Sequence, residues 1–181
     1  MLLAGSLLFA CTSAPTEPGV DSAGTADSAT IPGRLDLVDP ELWTQLDADE
    51  DPFADHRPDE VICDEDEGLT VETGLFEVDT TFCNYASVAQ PTLADVAVDD
   101  EIQVLVYHGA LSSSDEGEAH VALMLGDQLV WEQLIAIPSG SGVYSTDVGA
   151  AFEAPVGTRA VFHLHNHGNN TWNLGHFRRE R

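Results

Sequence analysis

The sequence predicts an all-β protein whose single folded domain is a jelly-roll-like β-sandwich. From Gly68 onward, short runs of residues alternate between apolar and polar, which is the period of a strand with one buried face. Turn residues separate these runs at intervals of about 8–15 residues, as in β-sandwiches. No window of about twelve residues has the helical period, so helices are not expected to form the core.

Each predicted strand rests on this alternation and on the turn residues that bound it. Gly126-Asp127 lies between two apolar runs and predicts a tight hairpin. The turn residues 98–101 introduce the apolar run that follows them. The expected strands in chain order are 70–73, 75–78, 83–88, 102–108, 120–125, 129–137, 143–148, 150–153, 159–167 and 171–177.

Composition divides the chain before the sandwich. A segment rich in Ser, Thr, Pro and Ala has few large apolar side chains, so it cannot bury enough surface to fold. An acidic segment follows, in which we expect Trp43 and Phe53 to pin an irregular arm onto the domain. We divide the chain into a signal segment, a disordered tether, an acidic irregular arm and the sandwich domain, at residues 1–10, 11–33, 34–67 and 68–181.

The apolar start ends in Leu8-Phe9-Ala10-Cys11, which resembles the lipobox of bacterial lipoproteins. The run is far shorter than the about 20 residues that span a bilayer, and it fits the apolar part of an export signal. In that family a diacylglycerol is attached to the cysteine thiol, the preceding residues are removed, and acyl chains such as palmitate anchor the protein. The resemblance implies a lipid anchor on Cys11. Thr12 replaces the aspartate that retains such proteins at the inner membrane, which implies the outer membrane of a Gram-negative bacterium.

The charge of the chain restricts its partners. The 181 residues include 32 acidic side chains against six basic ones, all arginine, for a net charge of −26. So negative a protein repels nucleic acid and anionic lipid surfaces. We therefore expect no nucleic-acid partner and a membrane contact through the lipid on Cys11.

The three cysteines fit an exported protein. With Cys11 assigned to the lipid, Cys63 and Cys83 remain as an even pair, and in an oxidising compartment such a pair predicts a disulfide. A zinc site is the alternative, but neither residue has the Cys-x-x-Cys spacing of zinc ligands.

Three histidines share one face of a predicted strand. His163, His165 and His167 are two residues apart, so along one face of a strand their successive Cα atoms are about 6.5–7 Å apart. His108 or His120, on other predicted strands, would complete a metal site. Imidazole suits Zn, Cu, Fe or Ni, so a transition metal is the one cofactor that the sequence suggests. The alternative is a solvent-facing sheet whose histidines bond to the following turn.

A second candidate site follows the histidine strand. Asn166, His167, Asn169, Asn170 and Trp172 combine amide and imidazole groups, which bind hydroxyls, with an indole face, which packs on C–H surfaces. This combination predicts a carbohydrate-binding patch at one end of the sandwich. The alternatives are turn-forming chemistry for the asparagines and a core position for the tryptophan.

Taken together, these patterns favour a non-enzymatic cell-envelope protein. It would be lipid-anchored and would display a β-sandwich as a binding or structural module for an extracellular or periplasmic protein or glycan, with carbohydrate among the candidate ligands. The competing hypothesis is a metal-binding protein or metal-dependent enzyme that uses the histidine strand. No catalytic residue is predicted, because Gly-x-Ser-x-Gly and His-Glu-x-x-His motifs are absent from the sequence.

Overall fold

The computed structural model describes residues 33–181. Cys11, the signal segment and the tether up to residue 32 lie outside the described residues. The described part contains one short helix, α1 (Glu65–Gly68), and two 3-10 turns, Pro40–Leu42 and Ala54–His56. Its eleven strands are β1 (Arg34–Asp36), β2 (Thr44–Gln45), β3 (Leu69–Glu72), β4 (Leu75–Asp79), β5 (Tyr85–Pro91), β6 (Glu101–His108), β7 (Gly117–Leu125), β8 (Gln128–Ile137), β9 (Gly142–Gly149), β10 (Arg159–His165) and β11 (Thr171–Glu180).

The strands form two antiparallel sheets, which confirms the predicted sandwich. The six-stranded sheet has the order β3-β4-β11-β6-β9, with β1 also paired to β11. The five-stranded sheet has the order β2-β5-β10-β7-β8. Strands β4 to β7 pair in reverse order with β11 to β8, as β4/β11, β5/β10, β6/β9 and β7/β8. This is a ribbon of antiparallel pairs rolled up on itself, the connectivity of a jelly roll.

The hairpin at the fold of this ribbon forms where the sequence predicts it. Strand β7 ends at Leu125 and β8 begins at Gln128, so Gly126 and Asp127 are the two loop residues. Gly126 has a φ of +59°, which a side chain disfavours and glycine adopts freely. Glycine at the first loop position suits the tight turns that match the twist of paired strands.

The main core lies between the sheets, and a second cluster lies outside the five-stranded sheet. Alternation sends Phe162 and Leu164 of β10 inward, where they meet apolar side chains of the other sheet. Val161 points the other way and packs with Leu46 and Phe53 from the acidic arm. The five residues from 160 to 164 are therefore all buried, because both faces of β10 are covered.

The acidic arm is less irregular than the composition predicts. Its residues form β1, β2 and both 3-10 turns, and α1 crosses the expected boundary at residue 68. Leu37 is fully buried in the main core. The reason is that the few large apolar side chains of this segment bury enough surface to order it despite its charge. We call residues 46–62 the covering loop, because Leu46 and Phe53 within it pack on the outer face of the five-stranded sheet.

The predicted disulfide between Cys63 and Cys83 is confirmed. It joins the residue after the covering loop to the turn that precedes β5. Main-chain hydrogen bonds from Asp64 to Phe82 and from Asn84 to Ile62 flank it. Closing a loop of this size is worth about 3 kcal/mol in the chain-entropy model. Among residues 33–181, no helix has the length and apolar character needed to cross a membrane.

Candidate metal centre

The structure separates the five histidines that the sequence grouped as metal ligands. His163 lies on β10 and His120 on the neighbouring strand β7, on the outer face of the five-stranded sheet, with ring centroids 4.9 Å apart. His108 lies on β6 of the other sheet. His108 therefore does not join the histidine strand. Its place was not predictable, because periodicity does not tell which sheet a strand enters.

His108 is instead satisfied within the protein. Its Nδ1 lies 2.6 Å from the carbonyl oxygen of Gly109, and its Nε2 lies 3.3 Å from the hydroxyl of Tyr144. Its ring packs on Trp172, with centroids 4.4 Å apart. A histidine with both nitrogens paired has no free lone pair for a metal.

His163 is fully buried and has no such partners. Among the described residues, neither of its ring nitrogens makes a hydrogen bond of good geometry, although the backbone of Ala86 lies close enough to oppose the lowering of its pKa. The ring of Phe53 stacks on it at 4.2 Å and 15°. Burial, followed by the neighbouring His120 and His56, lowers the pKa of His163 to about 2. The imidazole is therefore neutral at physiological pH, which is the form that binds metals.

A third histidine, His56, comes from the covering loop. It is exposed at the end of the 3-10 turn Ala54–His56, three residues after Phe53. One ring nitrogen each of His56, His120 and His163 lies within 4.8 Å of the other two. Sequence analysis missed His56 because the covering loop has no strand period. The expectation that Phe53 packs on the domain was the available clue, since it also brings His56 to the sheet.

Glu132 of β8 fixes the orientation of His120. The Nε2 atom of His120 lies 2.7 Å from Oε1 of the carboxylate, while Nδ1 is buried without a partner. If Nε2–H donates to Glu132, the lone pair of the ring is on Nδ1. Metal-ligating histidines commonly donate their other N–H to a carboxylate, which fixes the tautomer. His120 has this arrangement.

The covering loop is held in place by a buried carboxylate. Asp51 accepts hydrogen bonds from the Ser87 hydroxyl at 2.7 Å and from Tyr85. It also accepts from the main-chain N–H of Phe53 at 2.9 Å and from Arg57 at 3.1 Å. Phe53 and Arg57 lie on either side of His56, so these bonds position that histidine over the sheet.

The cluster has the chemistry of a transition-metal site. Three imidazoles suit Zn, Cu, Fe or Ni far better than Mg or Ca, which prefer oxygen ligands. Zn–N bonds are about 2.0–2.1 Å, so two ligand atoms on one ion are at most about 4.2 Å apart. Nitrogens within 4.8 Å of one another therefore need only a small inward rotation to share an ion.

His165 and His167 form a separate pair beside this cluster. Their ring centroids are 5.0 Å apart. His165 is half-buried at the end of β10, and His167 is exposed beyond it. The predicted row of three histidines is thus divided: His163 joins His56 and His120, and the other two approach each other.

The predicted carbohydrate patch is mostly buried. Trp172 is fully buried in the main core, so it presents no stacking face to a sugar. Asn166 donates to the hydroxyl of Thr80 at 2.9 Å. Asn170 accepts from the main-chain N–H of Ser112 at 2.7 Å. These amides serve the turns around β11, and His167 and Asn169 are the exposed members of the set.

Comparisons with known proteins give similarities of overall shape. No protein family matches the sequence, and no curated protein matches it. The Stig cyclase Fisc from Fischerella sp. TAU, solved with (3Z)-3-(1-methyl-2-pyrrolidinylidene)-3H-indole, has 10% identity and a TM-score of 0.45 over 86% of this chain and 92% of its own. A structure described as CBM4 has 12% identity and a TM-score of 0.38, and the match covers 61% of this chain and 82% of that one. At these values neither comparison carries an argument about function.

Proposed function

We propose that this chain is an exported β-sandwich protein that binds one transition-metal ion through His56, His120 and His163. The observation that carries the proposal is the state of His163, which is fully buried with two unpartnered ring nitrogens and faces two other imidazoles. A buried polar group without a partner costs about 1–3 kcal/mol. A bound ion would remove that cost for the ring nitrogen that carries the lone pair.

The surroundings of the cluster support metal binding. The net charge of −26 draws cations toward the protein. Glu132 gives His120 the carboxylate partner that metal-ligating histidines commonly have, and Phe53 covers one face of His163. The carbohydrate alternative loses its platform because Trp172 is buried, so metal is the ligand that the geometry favours.

A metal titration of the tag-free full chain tests this proposal. Zn or Cu is added in the presence of excess Mg, which occupies the exposed carboxylates. We expect one equivalent to bind tightly and His163→Leu to remove that binding. His108→Leu is the matched control and retains it, because its nitrogens are already paired. No tight binding by the unaltered chain, or equal binding by His163→Leu, would overturn the proposal.

We also propose that the protein is held at the outer membrane by a lipid on Cys11. The Leu8-Phe9-Ala10-Cys11 sequence and the disulfide, which forms in oxidising compartments, support export. Mass spectrometry of the mature N-terminus is expected to find an acylated Cys11, and Cys11→Ser is expected to lose membrane attachment. An unmodified Cys11 in protein that is recovered from the soluble fraction would contradict the anchor.

A further inference from the structure

The histidine cluster supplies three ligands, which leaves one position free on a four-coordinate ion. Among residues 33–181, the histidine, cysteine and acidic ligand atoms that lie within 4.8 Å of one another come from His56, His120 and His163. Zinc is almost always four-coordinate: structural sites have four protein ligands, whereas catalytic sites have three and a water molecule. The cluster therefore has the ligand number of a catalytic site.

The two carboxylates beside the cluster are not placed to be the fourth ligand. Oε1 of Glu132 lies 2.7 Å from Nε2 of His120, so this ring binds an ion through Nδ1. The two nitrogens of an imidazole point away from each other, which puts Glu132 on the far side of the ring. Asp51 is buried and accepts four hydrogen bonds, which occupy about all the lone pairs of an ionised carboxylate. The fourth position is thus left to a ligand from outside the chain.

This position faces solvent on the side of His56. His120 and His163 are buried, whereas His56 is exposed. Phe53 stacks on one face of the His163 ring at 4.2 Å, and Tyr85 lies against the same ring with centroids 5.2 Å apart. Protein atoms therefore surround the two ligands from the sheet, while water reaches an ion directly beside the third.

The charge of the protein restricts the molecules that reach this position. The net charge of −26 repels anions, which include phosphate and sulfate esters. Glu132 adds a carboxylate next to the cluster itself. Neutral molecules are not repelled, and a neutral carbonyl group is a substrate that a metal ion polarises. Carboxylic esters without a charged group fit these conditions.

We propose that a metal ion in this cluster carries a water molecule at its fourth position and uses it to hydrolyse small, neutral esters. This inference rests on the proposed function. The ion activates the water, whose oxygen forms a bond to the ester carbonyl carbon while one of its protons passes to solvent. The bond from that carbon to the alcohol oxygen then breaks, and this oxygen takes up a proton. The products are a carboxylic acid and an alcohol, nothing is oxidised or reduced, and a new water molecule fills the free position.

Hydrolysis of para-nitrophenyl acetate, a small neutral ester, tests this role. The tag-free full chain is assayed without metal and with one equivalent of Zn in excess Mg. We expect zinc to raise kcat/KM by about tenfold or more, which corresponds to about 1.4 kcal/mol or more of the barrier. His163→Leu with the same amount of zinc should stay at the metal-free rate. His176→Ala, on β11 of the other sheet, is the control and keeps the full rate.

The open position is measured independently of hydrolysis. Co(II) replaces Zn, and its visible absorption is followed while neutral imidazole is added and the bound cobalt is checked by dialysis. We expect the spectrum to shift as imidazole takes the fourth position. An unchanged spectrum would show that the chain itself closes the site, and the inference falls while the metal site stands. A shifted spectrum without faster ester hydrolysis would also overturn the inference. If the unaltered chain binds no metal, both proposals fall.

Discussion

His108 and His163 are both buried histidines on inner strands of the two sheets, yet their surroundings are opposite. His108 has a partner for each ring nitrogen and a tryptophan against its face. His163 has no partner for either nitrogen and stacks on Phe53. The difference teaches that burial alone does not identify a functional histidine. What distinguishes His163 is that its polar atoms are unsatisfied and converge with those of other imidazoles.

The largest expected effect is on the stability of the metal-free protein. His108→Leu should lower the free energy of unfolding by about 1–3 kcal/mol, because it leaves the carbonyl of Gly109 and the hydroxyl of Tyr144 without their partner. His163→Leu should be neutral or stabilising, because it replaces unsatisfied polar atoms by apolar ones in an apolar setting. Urea unfolding in the presence of a chelator measures both. An equal loss in the two variants would show that His163 is an ordinary structural residue.

The next effect concerns the carboxylate behind His120. Glu132→Gln keeps a hydrogen-bond acceptor but removes the charge, so metal affinity should fall by about 10–100-fold, as for other residues that orient a metal ligand. Competition with a chelator of known affinity measures the change. Glu118→Gln, an exposed glutamate two residues before His120, removes the same charge and should leave affinity nearly unchanged. Equal losses in the two variants would assign the effect to net charge.

The smallest expected effect is on the pH dependence of stability, and it concerns the buried carboxylate of Asp51. Burial by itself raises the pKa of Asp51, but hydrogen bonds from Tyr85, Ser87, the main chain of Phe53 and Arg57 outweigh it and leave the pKa below its usual 3.8. A lowered pKa in the folded state contributes stability above pH 3.8, and this contribution disappears as the pH falls through the folded pKa.

Unfolding measured between about pH 5 and pH 2 checks this sign. Asp51→Asn should lose stability less steeply on acidification than the unaltered chain, by at most about 1.4 kcal/mol per pH unit for one proton. Asp55→Asn, an exposed aspartate of the same loop, is the control and should follow the unaltered chain. Parallel curves for Asp51→Asn and the unaltered chain would mean that the carboxylate does not hold the loop.

The sandwich, the hairpin and the disulfide could be predicted from the sequence because each depends on a local pattern of residues. Alternation identifies the strands, Gly126 identifies the turn, and an even pair of cysteines identifies the bond. Alternation also put His163 on the face opposite Phe162. Alternation also places Trp172 on the same face of its strand as Leu174, and both side chains are buried. The core position of Trp172 could therefore be predicted in the same way.

The rest of the site depends on long-range placement. His108 and His120 both lie on strands, but only the rolled order of the strands puts His120 beside β10 and His108 in the other sheet. His56 comes from a segment without periodicity, which is held by a buried aspartate and by Phe53. A cluster built from two sheet strands and one covering loop is therefore only partly visible from sequence.

The bond between Cys63 and Cys83 gives the proposed site an order of assembly. It fastens the chain seven residues after His56, and β2 fastens it on the other side by pairing with β5. In a reducing compartment the first of these attachments is missing, and His56 is then held by the Asp51 hydrogen bonds and the packing of Phe53. Oxidation of the cysteines adds a covalent attachment close to the third ligand. If the proposed export holds, the metal affinity of the protein rises when it leaves the cytoplasm and its disulfide forms.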